Sequence, residues 1–434
     1  MKAKNKNTEI IFIGLAFFAS YFGAGNLIFP PKLGLEAGTS WLPAISGLVL
    51  SGIFLPLLAL MIISLAGGSV DNITSRVSKH FYKILVGSIM VFANFVSVPR
   101  TAAVATEMGI QGIFPELPYV PLVIGYFLFA FYFARTKESV IDKIGKLLTP
   151  ALVVILFVIV VKGVFFPIGT ASAPVVSNPF LHSFLGGYQT GDVLVSFMMP
   201  NVFMGAITSK GFTSDEDRNS ATFKACAIAF LCLLIVYGGL LIIGAHSGNH
   251  FDANTVESAA LLSGIVTLVG GKIGMIGFGI AVFLACITTA VAQITSIADY
   301  FVELSNDKLN YQITAAVVAT VGTSVALLGV DKIIVFSTPL FHAMYPACLA
   351  LIILGLLRNV LPNDGSFKVS MALTVVYSLF EALLSTGMEV SFITTIVTKM
   401  SLYAQGMGWI VPFLVGLIGG TIIYYIIPNK KLNN

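Results

Sequence analysis

The stretch Ser20-Tyr21-Phe22-Gly23-Ala24-Gly25-Asn26-Leu27-Ile28-Phe29-Pro30-Pro31 decides how this chain is read. It stands in an apolar run that begins near residue 10, and such a run needs roughly 20 residues to cross hydrocarbon. Two glycines and an asparagine in its interior work against a regular helix, since each glycine costs about 1 kcal/mol relative to alanine. Backbone groups left unpaired in lipid cost several kcal/mol each, so an unwound stretch persists only beside a polar cavity or ligand. If the helix breaks here, carbonyls ending its first half can bind a cation. Free N–H groups starting its second half can receive a carboxylate, helped by the helix dipole. Asn26 would then cap that second half. The competing reading is a glycine-lined face packed against a neighbouring helix.

Around this segment the chain is apolar throughout. Hydrophobic residues make up 57% and charged residues 10%, with a mean hydropathy of +0.94. A soluble domain carries roughly 25% charged residues, so this chain cannot cover a globular surface. About twelve spans follow, near 10–29, 41–66, 82–110, 118–134, 146–166, 192–210, 222–246, 272–298, 311–329, 333–357, 369–387 and 408–427. Alternating β-barrel patterning is missing from them, which predicts an all-α integral membrane protein.

Eighteen of the 24 Lys and Arg fall on the side of the N-terminus, five on the opposite side, and Arg100 within a span. That asymmetry predicts both termini in the cytoplasm of a multi-pass cell-membrane protein. Trp41 and Trp409 both fall at the outer boundary, where amphipathic rings settle. The net charge of +4 is then a matter of topology, and no nucleic-acid partner is expected. Lys2 to Lys6 precede an apolar run, but Asn26 and Pro30-Pro31 fit a retained first helix better than a cleaved leader. Cys226, Cys232, Cys286 and Cys348 have no metal-like or disulfide-like spacing and read as small core residues.

One transporter-type domain over residues 1–434 is expected, with a first repeat near 8–166, a second near 188–357, and two peripheral helices over 369–427. The longest loops, 167–191 and 247–271, could hold surface helices. Span 6 carries Pro200-Asn201 and Gly205, five spans after the interruption in span 1. Interrupted helices at matching places in two halves point to an inverted-repeat transporter, since five is odd and the second half enters from the other side.

Span 8 holds Ala285 followed by Thr288-Thr289, a hard-oxygen set suited to sodium, although helical threonines usually bond their own backbone. In span 3, Arg100 and Glu107 are seven residues apart and so share a helix face, marking them as gate candidates. An arginine at membrane depth must find a partner. Glu381 is a carboxyl at depth in span 11, with proton carrying and peripheral packing both open. His342 reads as a core histidine, and Asp299 and Glu303 as solvated. No P-loop, zinc motif or nucleophile–base set occurs, so no enzyme is expected.

The stretch Gly14 to Gly34, centred on Phe22-Gly23-Ala24-Gly25-Asn26-Leu27-Ile28-Phe29-Pro30-Pro31, resembles the signature of branched-chain amino acid:cation symporters, the LIVCS or BrnQ-type family. Pro99-Arg100-Thr101-Ala102 with Glu107 is similar to that family's third helix, and Thr288-Thr289 with Asp299-Tyr300-Phe301 to its eighth. The resemblance implies the LeuT-like fold of the amino acid-polyamine-cation group: a 5+5 inverted repeat with broken helices 1 and 6 plus two peripheral helices. It implies a sodium site made by the carbonyls of Ala19, Phe22 and Ala285 with the hydroxyls of Thr288 and Thr289. It also implies substrate binding by Gly23, Ala24, Gly25 and Asn26, completed from span 6 by Ser196, Phe197, Met198 and Pro200. Span 6 departs from the relatives' pattern, with Met199-Pro200 where a glycine is common, which leaves the fitting side chain open.

The expectation is a secondary active symporter that imports leucine, isoleucine or valine with sodium, by alternating access. Its partners are the amino acid, sodium and the lipid bilayer; no cofactor is needed beyond the coupling ion. A proton-coupled relative or a different small amino acid stays open, and a channel is the remote alternative.

Overall fold

Apolar runs without a two-residue alternation close their backbone bonds internally, and among the described residues only helices form. The computed structural model describes residues 6–23, 26–136, 140–388 and 390–426, with the side chains of 140–151 set aside. Ala24 and Gly25, expected in the substrate site, lie outside the described residues, as do Lys2, Lys4, Lys137, Lys430 and Lys431 of the charge count.

Span 1 is two helices, α1 (Lys6–Tyr21) and α2 (Phe29–Ala37). After a reversal at Gly38 comes α3 (residues 41–65), then α4 (Phe81–Ile110), α5 (Tyr119–Ala134) and α6 (Val140–Phe165). The second half opens with the surface helix α7 (Pro179–Gly186). Span 6 follows as α8 (Asp192–Met198) and α9 (Pro200–Thr208). Next are α10 (Asp215–Ala245), α11 (residues 258–270), α12 (residues 272–304), α13 (Tyr311–Ala326) and α14 (Val330–Leu356). Gly271, at φ 65°, separates α11 from α12. The chain closes with α15 (Gly365–Ser385), α16 (Ser391–Thr398) and α17 (Ile410–Ile426).

The expected architecture holds. Among the described residues six helices are long and apolar enough to cross a membrane, the bent pair around Met199 adds a seventh, and four shorter apolar helices stand at spans 4, 5, 9 and 12. With α1 and α2 as one broken crossing, the set is consistent with twelve spans in a LeuT-like arrangement. Lipid-type exposure runs round the outside, with Phe12, Leu128, Val154, Val335 and Ile418 all more than half exposed. This is a multi-pass membrane protein.

Local chemistry explains the ends. Ser214 caps α10 by accepting from the Asp217 N–H, and Asp215, Glu216 and Asp217 fill the first turn beside the positive end of the dipole. Asn310 caps α13 in the same way. The loops 167–191 and 247–271 do hold helices, α7 and α11.

Packing divides the helices into groups. α1 lies along α10, and α2 along the end of α10, where Gly34 and Gly244 bring backbones together: a methyl on Gly34 would strike the Leu241 carbonyl, and one on Gly244 the Pro31 carbonyl. α12 packs on α4, α5, α6 and α13, while α15 and α17 pack on each other and α15 on α14. Trp409, just before the start of α17, is 4% exposed and packs edge-on against Phe413. The four cysteines are free, as expected, with Cys232 less buried than the others.

Candidate functional site

The helical ladder of span 1 ends where the glycines begin. Phe22 N–H still reaches the Phe18 carbonyl at 2.8 Å, but Gly23 N–H turns back to the Tyr21 carbonyl at 2.9 Å. Asn26 N–H then bonds the Gly23 carbonyl at 2.9 Å, and helix resumes only at Phe29. A Cβ on Gly23 would meet no described atom within 4 Å, so open space lies beside it. Gly34, beyond the run, is a packing glycine, whereas Gly23 is not.

Span 6 breaks by other means. Met199 leaves the helical region at φ −124° and ψ 40°, Pro200 starts the next helix, and the two pieces are bent by 59°. Proline brings no N–H to continue the ladder and clashes one turn back.

Between the breaks lies a cavity of about 280 Å³, near the lower end of the roughly 300–1,000 Å³ usual for small-molecule sites. Ala19 and Ser20 of α1 line one side with Met198, Met199, Val202 and Phe203 of span 6. Met90 and Ala93 of α4 line the other with α12 from Thr288 to Ile297, a run of about 13 Å along the axis. Ala19, Ser20, Val202 and Ala292 are exposed although they lie within the bundle. In span 1 the lining residues precede the break, and in span 6 they lie on both sides of it. At the face that holds the start of α1, Lys210 pairs with Glu9 at 2.6 Å and Lys6 with Asp217 at 3.3 Å, tying the start of α1 to the segment from α9 to α10.

The opposite side is closed. Arg100 donates to the Gln189 carbonyl at 2.6 Å and sits over the Phe29 ring at 5.3 Å. The Gln189 side chain is held by Thr338 and Ser337 of α14, each at 3.1 Å. Glu107 is elsewhere, accepting from the Val330 N–H at 2.9 Å at the start of α14. Arg100 and Glu107 thus bind different partners, with the π-turn Ala105–Ile110 beginning between them.

The expected sodium and substrate residues fall into separate sets. Ala19, Thr288 and Thr289 line the cavity together, and both threonine hydroxyls donate to the Ala285 carbonyl at 2.9 Å. The Phe22 ring is buried and stacks on Phe18. Met198 faces the cavity, whereas Phe197 is buried in the packing on the other side of α8. Ser196 is buried too, donating to the Pro56 carbonyl at 3.0 Å and sharing a hydrogen bond of 2.7 Å with the Tyr21 hydroxyl. Pro200 is buried at the helix start.

Asn26 does not cap α2: Ile28 holds that position without a side-chain bond, and Pro30 in the first turn reduces the orphan donors there. The Asn26 amide donates instead to the Tyr21 carbonyl at 3.2 Å, to Asp192 Oδ1 at 2.9 Å and toward the Tyr237 hydroxyl at 3.3 Å. Sequence reasoning missed Asp192, which is 2% exposed. A carboxyl in an apolar run was the available signal, hidden because Asp192 is the first residue of its span. Gln293 was missed as well; it lines the cavity and donates to Ser97 at 2.6 Å. Glu381 is 6% exposed in α15, away from the cavity lining, and Asp299 and Glu303 are exposed.

Comparison with known proteins places this geometry. The family described as "Branched-chain amino acid transport protein" matches over residues 6–427. The branched-chain amino acid permease BraB of Bacillus subtilis is 32% identical over 98% of both chains, and BrnQ of the same organism 31% over 98% of both. Among solved structures, an inward-facing conformation of Mhp1 aligns with a TM-score of 0.61 at 13% identity, over 96% of this chain and 91% of that one. MhsT in complex with L-phenylalanine aligns with a TM-score of 0.51 at 15% identity, over 95% and 97%. At such identities these two likenesses speak for the fold.

Proposed function

The chain belongs to the branched-chain amino acid transport protein family, and from that premise we propose that it is a secondary active symporter importing leucine, isoleucine or valine with sodium. The observation that carries this reading is the lapse of the span 1 ladder at Gly23, just after Ala19 and Ser20, which line a cavity shared with span 6 and α12. Bare peptide groups at a break suit a zwitterion, N–H groups for its carboxylate and carbonyls for its ammonium. Met90, Met198, Met199 and Val202 give the aliphatic side chain an apolar wall. The arrangement transports a solute rather than transforming it, in keeping with a family of transporters and not enzymes.

We read the N-terminal face as cytoplasmic, on the strength of the Lys and Arg asymmetry. The conformer is then open inward and closed outward by Arg100, Phe29 and Gln189. Sodium binding near Thr288 and Thr289 is supported by hydroxyl chemistry. Each hydroxyl spends its proton on Ala285, which leaves oxygen lone pairs free for a cation beside the Ala19 end of α1. An ion there would bridge α1 to α12, favouring one conformer just as the substrate does, and coupling follows from that shared preference.

Radiolabelled leucine uptake into proteoliposomes, with and without an inward sodium gradient and excess valine, tests the reading. Sodium should accelerate uptake and valine should compete. Replacing both Thr288 and Thr289 with alanine should raise the half-activating sodium concentration about tenfold, equal to roughly 1.4 kcal/mol of ion binding. Uptake indifferent to the sodium gradient would overturn the coupling proposal.

A further inference from the structure

Asp192 plays no part in that reading, yet it lies between the two broken helices. It is 2% exposed, its Oδ1 accepts from the Asn26 amide, and its Oδ2 has no hydrogen-bond partner. The orientation of Asn26 is fixed by its surroundings. Turning the amide oxygen toward Asp192 would set it against the Tyr21 carbonyl and a carboxyl oxygen at once. The backbone of the same residue closes the break, through its N–H on the Gly23 carbonyl. Asp192 therefore holds the side chain of the residue that shapes the docking segment.

Three residues earlier, Gln189 is gripped from the far side by Arg100, Thr338 and Ser337. Between them Gly191 takes φ 74°, a left-handed conformation that glycine adopts without steric cost. Residues 189–192 form one short turn with the far-side closure at one end and the span 1 break at the other.

We propose that Asp192 is a positioning residue: seated by the closure at Gln189, it holds Asn26 and, through the Asn26 N–H on the Gly23 carbonyl, sets the Gly23 backbone for the substrate. This rests on the transporter reading and deepens it, because it names the connection between gate and docking segment. Removing the connection loosens the docking segment, so the loss falls on affinity more than on turnover.

The test is leucine–leucine exchange by the full-length protein in proteoliposomes, with KM and Vmax measured for wild type, D192A and D192N. Alanine offers Asn26 nothing, whereas asparagine keeps an oxygen in the same place. D192A should raise KM by roughly tenfold to a hundredfold, the range of a lost charge-assisted hydrogen bond. D192N, a neutral acceptor, should keep KM within about fivefold of wild type. Vmax should move less than KM in both, and thermal denaturation should show both folded. If D192A is not recovered folded, D192S replaces it, because its hydroxyl is too short to reach Asn26. A wild-type KM in D192A or D192S, or a D192N variant as impaired as D192A, overturns the positioning role alone. No exchange by the wild-type protein overturns the transporter reading and the positioning role together.

Discussion

The two breaks at the centre of this bundle are made of opposite materials. Span 1 stops because glycine lets the ladder lapse: the Gly23 N–H turns back to the Tyr21 carbonyl and its own carbonyl accepts from Asn26. Span 6 stops because Pro200 has no N–H, and what faces the cavity there is the side chains of Met198 and Met199. On the reading proposed above, a glycine break presents backbone to the amino-acid head common to all substrates. A proline break presents side chains, which read the variable part. Differences in selectivity among relatives should therefore concentrate in span 6, while span 1 should tolerate almost nothing.

The sharpest way to break this contrast is to set two glycines of the same segment against each other. Gly34→Ala puts a methyl into the Leu241 carbonyl, and overpacking of that kind costs about 1–3 kcal/mol or more. It should lower the melting temperature and the yield of monodisperse protein. A Cβ added at Gly23 meets no described atom within 4 Å, so Gly23→Val should fold like wild type. Its leucine binding should fall by roughly a hundredfold, as expected when one or two charge-assisted hydrogen bonds are denied to the substrate. Thermal melts and scintillation proximity binding separate the two outcomes. A Gly23→Val protein that binds leucine normally would remove the docking role from span 1.

The same contrast explains what was legible in the sequence. Both breaks could be read, because glycine clusters and proline act through the backbone of their own segment, and so could the all-helical membrane class, which follows from apolar length. Partnerships between segments could not. Arg100 and Glu107 are seven residues apart, but their partners Gln189 and Val330 come from distant segments that spacing does not name. Asn26 was read as a local cap, whereas its partner Asp192 is 166 residues away. Ser196 and Phe197 adjoin the break, but a helix turns neighbours to different faces, and only Met198 of the three reaches the cavity.

A smaller effect is expected at the second break. Pro200→Ala supplies an N–H one turn after Ser196 and allows the ladder to continue from the Met199 bond to the Val195 carbonyl. One added backbone hydrogen bond contributes a net 0.5–1.5 kcal/mol, enough to favour a straighter span 6. Leucine exchange should slow by about two- to tenfold in Vmax, with less change in KM. An equal loss in both would mean that Pro200 shapes the pocket rather than the movement.

The mildest test concerns which substrate fits. Met199 lines the cavity at the hinge itself, and methionine is an adaptable filler whose flexible thioether follows the shape beside it. Met199→Ala enlarges the apolar wall without touching the peptide groups of span 1. One missing methylene changes discrimination by up to 1–3 kcal/mol in a rigid pocket, but a flexible wall gives part of that back. The ratio of valine to leucine affinity should fall by about threefold, and larger side chains such as that of phenylalanine should gain. Competition against radiolabelled leucine measures the ratio directly. If the change instead weakens every amino acid equally, Met199 serves the common head group, and the division of labour between the two breaks fails at the point where it is most easily tested.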